Sequence, residues 1–278
     1  MSSQFADAVA QYRAHGYAIV RGFFAPDEIA DVAAIVDRVR DEAIGLGRTY
    51  RHGNLFYKVT PGRDGRPQAR MAQWASWHHP ALEAVRLDPR FVELLGPLIG
   101  TDLKQIINQL HWKEPEGLGD FAWHQDSRFR KPDEAYRNLG TSYIQTGLAI
   151  DPHTRESGCM RFIPGSHLRG DLDLDTDTEV LGTAMSDAVL RAAGLPTEWT
   201  EVELAPGDLA LWSPYLVHGS GQNHADHFRR LYINGYVSAA DCDRGEWAFR
   251  NGEPVPLGPE PALVHYEQLY EDREPHYV

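Results

Sequence analysis

The second half of this chain is a succession of short apolar segments separated by turns, and this pattern most constrains its fold. From Leu103 onward the segments are LKQIINQLHW, TSYIQTGLAI, CMRFI, TEVEL, DLALWS and FRRLYINGYV. Their connections are too short for the helical crossovers that join parallel strands. An antiparallel sandwich or barrel is therefore predicted, in a protein that is mainly β with flanking helices.

The first hundred residues are predicted to pack as helices and outer strands against that sheet structure. Apolar residues recur at helical spacing from Phe5 to Tyr12, and this helix should stop at Gly16. Pro26 begins a second helix, with one apolar stripe, that should end near Gly45. The other segments with strand or helix patterns are YAIVRGF, NLFYKVT, ARMAQWA, 82–87 and 91–99.

No internal repeat or linker divides the chain, so we predict a single domain over residues 1–278. Its parts are a helical buttress with outer strands at about 1–100, a core barrel at about 101–240 and a C-terminal wrap at 241–278. An Asp- and Thr-rich segment near 168–196 is predicted to be an excursion from the barrel. The Pro-rich wrap should end in a short helix.

Charge and composition narrow the classes of function. The net charge of −13 disfavours a nucleic-acid partner, because phosphate binding needs a surplus of Lys and Arg on one face. Cys159 and Cys242 are too few for a disulfide framework. No apolar run approaches the roughly 18 residues of a membrane span, and the N-terminal stretch lacks the apolar core of a signal peptide. We expect a cytoplasmic monomer or homodimer with no membrane or nucleic-acid partner.

The stretch WHQDSRF, residues 123–129, contains a candidate half of a metal site. In an extended strand, residues i and i+2 point to the same face, so His124 and Asp126 can approach one ion. Two histidines and one carboxylate form a facial triad that binds Fe(II) and leaves positions open. His218, between the strand DLALWS and a Gly-rich turn, is the candidate third ligand. A second H-x-D, at 224–226, lies in a polar turn and is predicted to be a solvated loop.

Arg229 follows His218 by eleven residues, at the start of FRRLYINGYV. If that strand pairs with the strand leading to His218, Arg229 lies inside the barrel beyond the metal. A guanidinium there is a rigid fork for a carboxylate. An iron-chelating 2-oxo acid with a distal carboxylate would fill the space between them. The alternative is that Arg229 pairs with a surface acid such as Asp226.

Several elements together resemble the phytanoyl-CoA dioxygenase family of Fe(II)/2-oxoglutarate-dependent oxygenases. They are the opening GYAIVRGFFAPDEI, WHQD, GCMRFIPGSH, HGSGQN and Arg229. The resemblance implies a double-stranded β-helix, a jelly-roll or cupin-like barrel buttressed by the N-terminal helices. It also implies Fe(II) on His124, Asp126 and His218, the distal carboxylate of 2-oxoglutarate on Arg229, and consumption of O2 with release of succinate and CO2. Since Asp126 fills the position that halide takes in related halogenases, we expect hydroxylation of an unactivated C–H.

Three further residues are candidates for contact with 2-oxoglutarate. Where many relatives carry Thr and Trp, this chain has Gln145 and Gly147, so Gln145 can donate to the co-substrate while Gly147 leaves room beside it. Gln109, on the strand before WHQD, and Ser220, two residues after His218, are the other two. For each of the three a structural role is the alternative: satisfying buried backbone groups for the Gln residues, and a turn for Ser220.

The substrate is a small molecule that the sequence encodes weakly. The basic cluster at 127–131 either receives an anionic group of the substrate or is a solvated loop. Arg128, Phe129 and Tyr143 are the candidate substrate contacts. Two other classes of function stay open: a cupin-type metal-dependent hydrolase or isomerase, in which Arg229 binds substrate, and a non-catalytic small-molecule-binding relative. Succinate release would separate the oxygenase from the hydrolase or isomerase.

Overall fold

A computed structural model describes residues 2–62, 64–115, 120–174, 180–260 and 276–277. In these residues the chain forms two antiparallel sheets, one of eleven strands and one of four, with helices beside the larger sheet. The prediction of a mainly β fold with flanking helices is confirmed.

The N-terminal elements follow the predicted order. They are α1 (Ser3–His15), β1 (Tyr17–Val20), α2 (Pro26–Leu46), β2 (Tyr50–His52), β3 (Leu55–Pro61), β4 (Pro67–Gln73), α3 (Pro80–Arg86) and α4 (Pro89–Ile99). Gly16 ends α1 with a φ of 80°, and its amide donates to the carbonyl of Tyr12 over 2.8 Å. The second helix runs past Gly45 to Leu46, because Gly47, with a φ of 72°, is the residue that adopts the left-handed cap.

The second half of the chain supplies most of the strands. They are β5 (Leu103–Lys113), β6 (Phe121–His124), β7 (Tyr143–Ala149), β8 (Met160–Phe162), β9 (Thr200–Val202), β10 (Leu209–Trp212), β11 (His218–Ser220), β12 (Arg229–Ser238), β13 (Glu246–Arg250), β14 (Glu253–Pro254) and β15 (His276–Tyr277). Two short helices interrupt them, α5 (Leu139–Ser142) and α6 (Asp187–Ala192).

The large sheet has the strand order β1-β10-β7-β12-β5-β4-β3-β2-β15, and β13 joins it beside β5 and pairs with β14. The small sheet has the order β6-β11-β8-β9. A cavity is lined by β4, β5, β7 and β12 of the large sheet and by β6, β8 and β11 of the small one. In the part of the chain that the structure describes, no strand pair joins the two sheets, so they face each other without closing into one ring.

The strand pairing that was the condition for placing Arg229 in the cavity does not occur, although Arg229 does line the cavity. The strand that leads to His218, β10, pairs with β1 and β7, whereas β12 pairs with β5 and β7. The chain leaves the large sheet after Trp212 and enters the small sheet at His218. The two strands are therefore separated by β7, and Arg229 reaches the cavity from a different position in the large sheet.

The main apolar core lies between the helices and the outer face of the large sheet. The apolar stripe of α2 is buried as its helical spacing predicts, and the helix packs against β3 and β4. Its buried residues are Ile29, Val32, Val36, Val39 and Ala43. Because the helices cover this face, the opposite face of the large sheet is left to line the cavity. No helix in the described ranges combines the length and the apolar character needed to cross a membrane.

The predicted excursion near 168–196 packs on the small sheet. Leu174 and Leu190 belong to a buried cluster with Trp123 of β6 and with Val217, next to β11. The described part of the C-terminal wrap contains β13, β14 and β15. The short helix predicted for its end falls on 261–275, outside the described residues.

Candidate active site

His124, Asp126 and His218 form a buried cluster at the small-sheet side of the cavity. One ligand atom from each residue lies within 4.8 Å of the others. Nε2 of His124 is 3.9 Å from Oδ1 of Asp126, and Nε2 of His218 is 3.8 Å from Oδ2. The two histidines face each other in register across β6 and β11. The residues that the sequence places 94 positions apart, 124 and 218, are thus brought to one point by strand pairing.

The ring orientation of both histidines is set by backbone carbonyls. Nδ1 of His124 donates to the carbonyl of Ala122 over 2.8 Å, and Nδ1 of His218 donates to the carbonyl of Leu216 over 2.9 Å. Because a carbonyl oxygen only accepts, the proton lies on Nδ1 and the lone pair on Nε2. Both Nε2 atoms face the Asp126 carboxylate, as a metal site requires.

Asp126 is positioned by a turn and not by a strand. Its predecessor, Gln125, is extended, with φ −114° and ψ 141°, and Asp126 then begins a 3₁₀ turn. The i and i+2 relation that was predicted from strand geometry therefore holds across Gln125, although β6 ends at His124. The indole Nε1 of Trp212 donates to Oδ2 of Asp126 over 2.8 Å.

Gln125 fixes this turn by three hydrogen bonds, and the sequence analysis missed it. Its amide nitrogen donates to the carbonyls of Gly170 and Tyr215, over 2.9 and 2.6 Å, and its amide oxygen accepts from the backbone N–H of Leu172 over 2.8 Å. The Gln side chain points away from the two ligands on either side of it, as alternation predicts. It thereby ties the H-x-D turn to the excursion and to the segment before His218.

Burial and mutual charge control ionisation in this cluster. Burial, with a smaller effect of the neighbouring His218, lowers the pKa of His124 to about 3, so the ring is a neutral ligand. Burial would raise the pKa of Asp126, but His218, His124 and Arg130 hold it below its usual value. The cluster therefore offers two imidazole nitrogens and one carboxylate, the donor set that suits Fe(II).

Arg229 lies at another part of the same cavity wall and is almost fully buried, with 2% of its surface exposed. Its Nε and one terminal nitrogen, Nη2, have no hydrogen-bond acceptor among the described residues. Burial lowers its pKa to about 10, so the guanidinium stays charged at neutral pH. A buried cation with unpaired donors is costly, and an anionic ligand would remove that cost.

Lys113 is a second buried basic residue beside Arg229, and the sequence analysis missed it as well. It is 2% exposed and stands opposite Arg229 in the pairing of β5 with β12. Burial first, and then the charge of Arg229, place its pKa well below the usual value. The signal was the period of two along β5: Ile107, Gln109 and His111 line the cavity, and Lys113 continues that row.

The cavity, of about 310 Å³, brings together most but not all of the predicted contact residues. Gln109, Gln145, Ser220 and Phe129 line it, Phe129 being 38% exposed. The remaining surface is mainly apolar and is formed by Met71, Ile107, Phe121, Met160, Val180, Leu181, Leu231 and Ile233.

Two predicted substrate contacts lie elsewhere. Tyr143 is fully buried behind Gln145, to whose side-chain oxygen it donates, and it does not line the cavity. Arg128 also lies off the cavity wall, whereas Arg130, 4% exposed, is on it and stacks over the Tyr143 ring at 5.3 Å. Arg130 and not Arg128 lines the cavity because a 3₁₀ turn at 126–129 replaces the alternation of a strand after Asp126.

The sequence suggested that Gly147 leaves room beside Gln145, but the structure has no such room. A Cβ added at this position would lie 3.1 Å from Trp212 Cζ3 and 3.2 Å from Leu231 Cδ1. The space is filled by the indole that hydrogen-bonds to Asp126. The second H-x-D is a solvated loop, as predicted: His224 and Asp226 are exposed and lie outside the buried cluster.

Comparison with known proteins shows the family of the chain. The family described as phytanoyl-CoA dioxygenase (PhyH) matches residues 12–231. A probable alpha-ketoglutarate-dependent hypophosphite dioxygenase of Stutzerimonas stutzeri is 25% identical over 84% of this chain and 79% of its own length. Phytanoyl-CoA dioxygenase domain-containing protein 1 of Mus musculus is 29% identical over 67% of this chain and 62% of its own length.

Solved structures agree on the fold. The epimerase SnoN, in complex with Fe3+, alpha-ketoglutarate and nogalamycin RO, superposes with a TM-score of 0.62 at 22% identity, over 95% of this chain and 96% of its own. At this identity the likeness concerns the fold alone. Because the family match covers most of the sequence, including the residues of the buried cluster and Arg229, the chain belongs to the phytanoyl-CoA dioxygenase family of Fe(II)/2-oxoglutarate-dependent dioxygenases.

Proposed function

We propose that this protein hydroxylates an unactivated C–H of a small, anionic molecule, using Fe(II), 2-oxoglutarate and O2. The observation that supports this most is the single cavity that holds both the His124, Asp126 and His218 cluster and the unpaired donors of Arg229. In a metal-dependent hydrolase or isomerase Arg229 would instead bind the substrate, so binding of 2-oxoglutarate separates the two functions.

Each polar residue has a role in this proposal. Nε2 of His124, Nε2 of His218 and the Asp126 carboxylate hold the iron, and Arg229 receives the distal carboxylate of 2-oxoglutarate. When bound, iron, 2-oxoglutarate and O2 supply the oxidising power for breaking a C–H bond. Trp212 keeps the Asp126 carboxylate oriented, and the apolar wall excludes water from the site. Gln109, Gln145 and Ser220 are the candidate hydrogen-bonding partners of the co-substrate.

An anionic substrate is supported by the charges on the cavity wall. Lys58 and Arg130 line it in addition to Arg229, and Asp126 is the single acidic residue among the described lining residues. This excess of positive charge occurs in a protein of net charge −13. The mainly apolar remainder of the wall suits a hydrocarbon portion. The hypophosphite named for the Stutzerimonas stutzeri relative is itself an anion.

The test begins with anaerobic titration of the metal-free protein with Fe(II) and then 2-oxoglutarate. We expect the visible charge-transfer band of a chelated 2-oxo acid, and we expect this band to need far more 2-oxoglutarate in Arg229→Ala. Asp126→Ala should abolish iron-dependent turnover. Iron binding with no band at any 2-oxoglutarate concentration would favour the hydrolase or isomerase.

A substrate screen then follows succinate release with paired anionic and neutral compounds of similar size. A product heavier by one oxygen atom identifies hydroxylation, a product lighter by two hydrogens identifies desaturation, and an unchanged mass identifies epimerisation. Succinate release stimulated only by neutral compounds would overturn the anionic assignment without affecting the oxygenase assignment.

A further inference from the structure

Lys113 and Arg229 are two neighbouring buried basic residues, and no carboxylate of the described residues pairs with either of them. Residues in direct register on paired antiparallel strands have side chains on the same face, so both point to the side of the large sheet that holds the cavity. Each is 2% exposed. Within the described ranges neither forms an ion pair with a carboxylate, and each lowers the pKa of a neighbouring basic group. A structure keeps such an arrangement only if something compensates for it.

Three acceptors surround the Lys113 side-chain nitrogen. Nζ donates to Oγ of Ser220 over 2.7 Å, to the carbonyl of Gly158 over 3.4 Å, and to the carbonyl of Gly221. These bonds connect the end of β5 in the large sheet to the end of β11 in the small sheet, beside Arg229.

The bond to Ser220 fixes the direction of a hydroxyl. Nζ of Lys113 is the donor in this bond and the Ser220 oxygen is the acceptor, so the proton of the Ser220 hydroxyl points away from Lys113. No described residue accepts that proton. Ser220 lines the cavity together with Arg229. The hydroxyl is therefore a donor available to a ligand of the cavity, with an orientation that Lys113 imposes.

We propose that Lys113 is a positioning residue that directs the Ser220 hydroxyl at the distal carboxylate of 2-oxoglutarate and makes the site selective for 2-oxo acids with two carboxylates. This inference rests on the proposed function, since Arg229 must be the group that binds that carboxylate. Lys113 acts through Ser220, and it holds neither the iron nor the substrate.

The competing explanation is that Lys113 only braces the turns at Gly158 and Gly221. Gly158 already approaches the second turn closely, since a Cβ on it would lie 2.4 Å from the Gly221 carbonyl oxygen. Loss of a residue that only braces the turns would disturb the whole site and weaken the binding of all 2-oxo acids alike. Loss of a positioning residue would weaken the binding of only those ligands that carry the distal carboxylate.

The experiment compares 2-oxoglutarate with 2-oxovalerate, which has the same chain length but no distal carboxylate. Fe(II)-loaded protein is titrated anaerobically with each, and dissociation constants are taken from the chelate band and from calorimetry. The variants are Lys113→Met, Ser220→Ala and the double variant. Lys104→Met is the matched control, because Lys104 lies on the same strand and donates to the Cys242 carbonyl, remote from the cavity.

We expect Lys113→Met and Ser220→Ala each to raise the dissociation constant of 2-oxoglutarate by about tenfold or more. The dissociation constant of 2-oxovalerate should change by less than about twofold. The double variant should lose little beyond the larger single loss, because both changes remove one interaction. Lys104→Met should bind both ligands like the unaltered protein.

Equal weakening of both ligands in Lys113→Met, or additive losses in the double variant, would overturn the inference. If Lys113→Met does not fold, Lys113→Gln replaces it, and Ser220→Ala alone must still show the selective loss. Failure of the proposed function has a different signature, since the unaltered protein would then bind no 2-oxo acid and Arg229→Ala would change nothing.

Discussion

Trp212 donates a hydrogen bond of 2.8 Å from its indole nitrogen to Oδ2 of Asp126, and so joins the large sheet to the buried cluster of His124, Asp126 and His218. The carboxylate is buried, and its other oxygen is 3.9 Å from Nε2 of His124. Trp212 can reach it because residue 147 on the paired strand β7 is glycine. One glycine, one indole and one carboxylate therefore form a continuous support.

Replacing Trp212 by Phe should weaken iron binding by about 10- to 100-fold, as is usual for loss of a hydrogen bond to a metal ligand. The ring still fills the core, so the folded state should persist. The measurement is the dissociation constant for Fe(II) under anaerobic conditions, with circular dichroism as the check on folding. Unchanged iron affinity would show that the indole bond does not orient Asp126.

Gly147→Ala should displace the Trp212 ring and so disturb its hydrogen bond to Asp126. The added methyl group would press on the Trp212 ring and should cost about 1–3 kcal/mol of unfolding free energy, with a loss of iron affinity in parallel. Gly45→Ala is the control, because nothing lies within 4 Å of a Cβ at that helical position. It should stabilise the protein by about 0.5–1 kcal/mol. Equal effects of the two variants would contradict the packing explanation.

The buried Arg86 predicts a large stability effect far from the cavity. Its guanidinium is fully buried and contacts Glu83 at 3.1 Å, Gln105 at 2.6 Å and the Trp247 carbonyl at 2.6 Å. Glu83→Gln leaves the cation without a counter-charge and should cost about 3 kcal/mol, at the low end for a buried pair because Glu83 is partly exposed. Urea unfolding measures it.

The control for Glu83→Gln is Asp243→Asn. Asp243 pairs with Arg137 at 2.8 Å on the surface, where both side chains are exposed. Solvent screens such a pair, and we expect no measurable change in unfolding free energy. Similar losses in both variants would argue that burial does not decide the strength of these pairs.

Cys159 should be unreactive in the folded protein. Burial raises the pKa of its thiol to about 11, above the value of 9.0 for an exposed thiol. Folding therefore favours the protonated thiol, and this contribution to stability is complete below pH 9 and is lost as the pH rises through 11. At neutral pH the folded state holds about a hundredfold less Cys159 thiolate. Alkylation by iodoacetamide, followed by mass spectrometry with and without urea, measures this, and rapid labelling of folded protein would contradict it.

Arg130 and Arg128 form a natural pair for testing substrate recognition. Arg130 lines the cavity and Arg128, two residues earlier, does not. Once the screen has identified an anionic substrate, Arg130→Met should raise its KM by about 10- to 100-fold, and Arg128→Met should change it little. The KM for 2-oxoglutarate should stay the same in both. A larger rise of the substrate KM in Arg128→Met than in Arg130→Met would contradict this assignment and support the substrate contact that the sequence suggested for Arg128.

Much of the fold could be predicted because its signals are local. The strands β5, β7, β8, β10 and β12 follow runs of apolar residues between turns, and α2 follows a stripe of 3.6-residue period. These patterns depend on near neighbours alone. Strand order depends on distant residues, so the sequence predicted the limits of β12 within one residue but could pose its pairing only as a condition, which the structure does not meet. The single-domain prediction and the roles of the site residues stay predictions.

By itself, the sequence determined the chemical types at the site and their approximate location: His124 and Asp126 beside a strand end, His218 before a turn, and Arg229 eleven residues later. Their spacing is a local property of strands, turns and family motifs. Only the tertiary structure decided that Trp212 supports Asp126, that Lys113 meets Ser220, and that Arg130 lines the cavity. These contacts depend on which strands become neighbours and on a 3₁₀ turn that interrupts alternation. Both depend on the packing of the whole chain. A local sequence pattern cannot predict how close two residues from different sheets will lie.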